Sequence, residues 1–141
     1  MIKALSKLVI VLGLSMLAFS SGAQTSPTSG DIVMKGTLGD CPKGRPCMYR
    51  VTKDDITISR GMFRFSARST GLCYEQIITI NNNGRYVHQE HMVGTDSGTK
   101  HFGVRVNDLL TVYVVEIPSD RLCFWPGELS WQISRNSYSV N

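Results

Sequence analysis

Residues 109–117 read Leu-Leu-Thr-Val-Tyr-Val-Val-Glu-Ile. β-Branched and aromatic side chains dominate the stretch, and turn-forming residues bound it, Asn107-Asp108 before and Pro118-Ser119-Asp120 after. Nine residues between two such breaks suit a strand better than a helix. Leu109, Tyr113, Val115 and Ile117 alternate with Leu110, Val112 and Val114, so both faces are mostly apolar. A strand of that kind is ordinarily covered on both sides, and the segment predicts the centre of a β-sheet core.

The flanking sequence repeats the theme. Upstream, residues 101–106 form a further strand candidate after a polar loop at residues 94–100. Asn83-Gly84 is a strong hairpin signal, because both residues tolerate the positive φ of a type I′ turn; residues 85–93 are expected to return antiparallel to 73–80. Residues 62–68 place Phe63, Phe65 and Ala67 on one face and Arg64, Ser66 and Arg68 on the other, a half-buried strand. A turn is expected at residues 69–72. Residues 32–38, 48–51 and 55–59 are short strand candidates, the last from the alternation of Ile56 and Ile58 with polar neighbours. Downstream, Pro126-Gly127 turns the chain into a last strand in which Leu129, Trp131 and Ile133 face the core. Eight or nine short strands with no helical period predict an all-β fold. The expected architecture is a small antiparallel β-sandwich stabilised by disulfides, with a small closed β-barrel as the alternative.

The first 23 residues have a different character. Lys3 and Lys7 precede an apolar run at residues 8–19, and Ser21-Gly22-Ala23 supplies the small residues of a signal-peptidase site. This layout predicts a secretory signal peptide at residues 1–23. The run falls short of the roughly 20 residues that span a bilayer. No membrane anchor is expected after cleavage. Residues 24–31 are predicted to be a flexible lead-in and residues 32–141 a single domain. Without Lys3 and Lys7, 13 basic residues face 11 acidic ones, a net charge of about +2. So weak and scattered a charge argues against nucleic acid as a partner.

All four cysteines lie beyond the leader, and an even count behind an export signal reads as disulfides. Three pairings are open. Cys41–Cys47 with Cys73–Cys123 is favoured, because the first closes a short loop held by Pro42 and Pro46 and the second ties distant strands together. The expected location is periplasmic or secreted.

The motifs that carry chemistry are sparse. Cys41-Pro42-Lys43-Gly44-Arg45-Pro46-Cys47 is a closed basic loop that presents Lys43 and Arg45, and pre-ordering lowers the entropy cost of binding. Phe124-Trp125-Pro126-Gly127 sits beside Cys123, so Trp125 either anchors a partner protein or a sugar ring or packs over the disulfide. His88 and Glu90 share a strand face, His91 points the other way, and a metal site there would need His101 from another strand. The pattern reads instead as the wet face of a hairpin, with no metal and no cofactor expected. Asp96-Ser97-Gly98-Thr99 matches a short aspartic-protease signature, but Gly94-Thr95 separate it from the strand it should follow, and Asp-Ser-Gly is common in turns. Nucleophile elbows, phosphate loops and dinucleotide fingerprints are absent from the sequence.

These readings converge on an exported binding module rather than an enzyme. It is expected to recognise another protein, or a glycan, as an inhibitor or immunity-type factor does, through Lys43, Arg45 and Trp125. The alternatives are a small exported hydrolase or metal-binding protein, and a surface-assembly subunit that adds a strand through residues 32–38 or 137–141.

Overall fold

The computed structural model describes residues 32–41 and 45–136. The predicted leader, the lead-in at 24–31, the C-terminal residues 137–141 and Lys43 lie outside the described residues. The chain is an all-β, disulfide-stabilised protein built on one antiparallel sheet. Its strands are β1 (Ile32–Thr37), β2 (Cys47–Arg50), β3 (Met62–Asn82), β4 (Arg85–Gly103), β5 (Leu109–Ile117) and β6 (Glu128–Arg135), with one helix, α1 (Lys53–Ser59).

The organising strand is β3, not the segment at 109–117. It pairs with β4 from Met62↔Gly103 to Asn82↔Arg85, and along its other edge with β6 over Phe63–Thr70 and then with β5 over Glu75–Asn82. The bounds expected for β5 hold, but its place in the sheet does not. Leu110 and Val112 are buried, whereas Tyr113 and Val115 are exposed. Side-chain alternation located the strand; composition could not reveal that one face lies in solvent.

Two further expectations are corrected by the long hairpin. The turn expected at 69–72 and the loop expected at 94–100 are both strand. The hairpin bends there instead, with Gly71 and Gly94 both at φ 58° and breaks in register around Ser69, Leu72 and Gln76. The buried parity of β3 switches across the bend, from Phe63, Phe65, Ala67 and Ser69 to Leu72, Gln76, Ile78 and Ile80. Bulges make such changes because an extra residue turns the following side chains to the other face. Half of the hairpin joins β6 and β1, the other half joins β5 and β2, and both apolar faces feed one core that includes Trp131, Ile133, Leu110 and Val112. At the hairpin tip, Asn83 (φ 51°) and Gly84 (φ 76°) take the expected left-handed conformations.

Residues 55–59 are helix, not strand. Thr52 caps α1: its hydroxyl accepts from the Asp55 amide, and the Asp55 carboxylate accepts from the Thr52 amide at 2.8 Å. This reciprocal capping box outweighs the β-branched Ile56, Thr57 and Ile58 over less than two turns. Arg60 (φ 52°) and Gly61 (φ 77°) end the helix. The strand expected at 101–106 stops at Gly103, and the next residues turn toward β5.

Candidate interaction surface

The bent hairpin gives the molecule two unlike ends. At the tip end, α1 covers the sheet and is fixed by a buried polar cluster. The Asp55 side chain is fully buried and accepts hydrogen bonds from Arg135 Nε (2.7 Å), Tyr49 Oη (2.7 Å), the Thr52 amide (2.8 Å) and Thr52 Oγ1 (2.9 Å). Burial alone would push the Asp55 carboxyl upward; the Thr52 amide, the Tyr49 hydroxyl and Arg135 outweigh it and hold the group below its ordinary value. Burial pushes the Tyr49 hydroxyl up, and its hydrogen bond to Asp55 pushes it further. Nearby, Asp108 receives Asn82 Nδ2 (2.7 Å), Asn83 Nδ2 (2.8 Å) and the Arg105 amide (2.9 Å). Burial opposes its ionisation, but these donors prevail and its carboxyl is also held low. Each carboxylate is saturated by its neighbours and ties chain segments together, so both are structural.

At the bend end, the sheet presents loops. β5 ends at Ile117 beside Glu75, β6 begins at Glu128 beside Thr70, and β1 ends at Thr37 beside Ser130. Both disulfide loops therefore leave the sheet at this end. Cys73 pairs with Cys123 (Cα–Cα 5.9 Å) and Cys41 with Cys47 (5.2 Å), the pairing favoured from the sequence. The residues between β5 and β6 are tied down by Cys123, by the Cys73 amide donating to Pro126 O (3.2 Å) and by Tyr74 Oη donating to Arg121 O (3.2 Å). Gly127, at φ 82°, packs so close to the Gly71 carbonyl that a side chain there would collide with it.

The anchored loop carries large apolar side chains into solvent. Phe124 is 96% exposed, Leu122 87% and Trp125 68%. Trp125 therefore projects outward and does not close the core. Isolated surface apolar residues are ordinary, but three large ones within four residues form a patch. Leu122 and Phe124 are not among the contacts expected from the sequence. Beside this loop is an open groove of about 580 Å³ lined by Thr37, Leu38, Arg68, Thr70, Gly127 and Glu128. Arg45 is exposed on the first cysteine loop.

The other sequence candidates do not assemble. His88 and Glu90 share a face as expected, at 2.9 Å, but they are half-buried rather than wet: the His88 ring tilts against Phe65 (centroids 5.8 Å), and Glu90 lies over Gly98. His91 binds Glu75 on the opposite face at 2.8 Å, and His101 stands across from Arg64. Among the described residues, no three His, Cys, Asp or Glu side chains gather as metal ligands, and no hydroxyl or thiol nucleophile bonds His88. Asp96 lies within β4 opposite Ser69, and its amide donates to Ser69 Oγ (3.1 Å). No helix among the described residues is long and apolar enough to cross a membrane. Two disulfides place the chain in an oxidising environment outside the cytoplasm.

The fold and surface define a class, an all-β disulfide-stapled protein with an apolar loop at one end. No protein-family model matches the chain, and no curated protein matches it.

Proposed function

We propose that the protein is an exported binding module, periplasmic or secreted, that recognises another protein with its bend end. Leu122, Phe124 and Trp125 are the apolar anchors, and the loop closed by Cys41–Cys47 supplies basic contacts through Arg45, which is exposed, and through Lys43, read from the sequence alone. The observation that carries this reading is the exposure of three large apolar side chains, by two thirds or more, on a loop anchored by a disulfide. A fixed loop loses little freedom on binding, and aromatic anchors that become buried dominate interface energies. The export half of the reading rests on the leader pattern at residues 1–23 together with the disulfides.

The test compares the parent with Leu122→Ser/Phe124→Ser/Trp125→Ser and with Lys43→Ala/Arg45→Ala as affinity baits in periplasmic and extracellular extracts. All three replaced apolar side chains are exposed, so thermal stability should hold in both variants. Loss of an anchor typically costs about 2 kcal/mol or more, roughly 30-fold in affinity. The triple variant should therefore lose a partner that the parent retains, and the basic-loop variant should bind it more weakly. A partner held equally by all three baits would reject this surface.

A further inference from the structure

We propose that the outer edge of β5 is a self-association site, at which a second copy of this chain adds its own β5 antiparallel to extend the sheet. β2 covers only the first part of β5, from Leu109 to Val112, and Pro46 precedes it with no N–H to continue the ladder. The Leu109 amide and carbonyl both bond Asn83, on the β3 side. Backbone groups alternate sides along a strand, so those of Leu110 and Val112 face β2, and those of Val114 and Glu116 face outward beyond it. Among the described residues, nothing hydrogen-bonds the N–H and C=O groups of Val114 and Glu116 on that side.

The free segment is complementary to itself. A twofold axis through Val115 sets Val114 opposite Glu116 of the second copy and Glu116 opposite its Val114, which pairs all the free groups. Val115 then meets Val115 of the second copy, and Tyr113 meets its Ile117 at either end. These are apolar cross-strand pairs on the outer face, where Val115 is 55% exposed. No like charges oppose each other: each Glu116 lies across from a valine and keeps its bond from Gln76 Nε2 (3.0 Å). The length also fits. The strand ends before Pro118, where the second copy's β2 begins beside its Val112. Closed, isologous pairing of this kind stops at a dimer. The other unpaired edges among the described residues are less suited: β1 has an irregularity at Ile32/Met34 and carries Lys35, β2 is only four residues long, and β4 is bent and breaks register with β3 at three places.

Sedimentation across a wide concentration range tests this on purified, oxidised protein. The parent should move from one to two protomer masses as concentration rises. Val115→Lys sets a cation against itself at the axis, and Val114→Pro removes an outward N–H; both should stay monomeric with the parent's near-ultraviolet circular dichroism. Val115→Cys should cross-link on oxidation, because β-carbons at such a pair lie about 4.5 Å apart, within reach of a disulfide. Val93→Cys, also exposed, serves as the control and should not. A parent that stays monomeric throughout, a folded Val115→Lys that still dimerises, or equal cross-linking of the two cysteine variants would each overturn the proposal.

Discussion

Asp55→Asn isolates the cluster that fixes α1 to the sheet. The change keeps the shape of the side chain and removes its charge. It leaves Arg135 Nε beside a neutral amide and sets an NH₂ group against at least one of the donors from Thr52, Tyr49 or Arg135. Breaking a buried ion pair from one side typically costs about 3–5 kcal/mol. Arg135 is 19% exposed and has interactions besides Asp55, so the lower end, about 3 kcal/mol, is appropriate. In a domain of roughly 100 residues that corresponds to a fall in Tm of about 12–24 °C. The pH dependence supplies a second readout. The folded carboxyl is held below its ordinary value of 3.8, so its contribution is present above the unfolded-state pKa and lost as pH falls through the folded one. Thermal melts by circular dichroism from neutral pH into the acid range should show the parent converging on Asp55→Asn at low pH. A shift under about 2 °C at neutral pH, less than the change expected from 1 kcal/mol, would refute the assignment of a stabilising role. So would two melting curves that stay parallel as the solution is acidified.

Cys73→Ser/Cys123→Ser opens a cross-link between residues 50 apart, and the chain-entropy model puts the loss near 4 kcal/mol, to be read from urea unfolding. Cys41→Ser/Cys47→Ser, with a separation of 6, should lose only about 2 kcal/mol in the same assay. Gly36→Ala would put a β-carbon 2.6 Å from the Trp131 ring, and crowding of that kind costs about 1–3 kcal/mol, visible as a lower Tm.

Much of the fold was legible because local chemistry and final position agree. The Phe63, Phe65 and Ala67 face, the Asn83-Gly84 turn, the buried Trp131 and both cysteine pairings follow from alternation, positive-φ tolerance and loop length. The glycine-containing stretches at 69–72 and 94–100 read as breaks because glycine signals a turn and a bend alike; only the partner strand decides which. Helix α1 was hidden because its first turn is built by Thr52 and Asp55 side chains while its interior alternates like a strand. At the candidate surface, Trp125 and the basic loop were visible from their neighbouring cysteines. The exposure of Leu122 and Phe124 depended on the path of the loop away from the sheet, which no local pattern encodes.

The position of β6 bears on how the chain matures. The last strand in sequence lies between the first strand and the organising hairpin, so β1 has no partner in the sheet until residues 128–135 have emerged. The hairpin and β5 can assemble earlier, from contacts close together in the chain, but the N-terminal strand waits for the far end. A nascent chain therefore carries Ile32–Thr37 without its β6 partner until residues 128–135 have been made. Removal of residues 128–135 by truncation would leave the strand at the opposite end of the sequence without its partner.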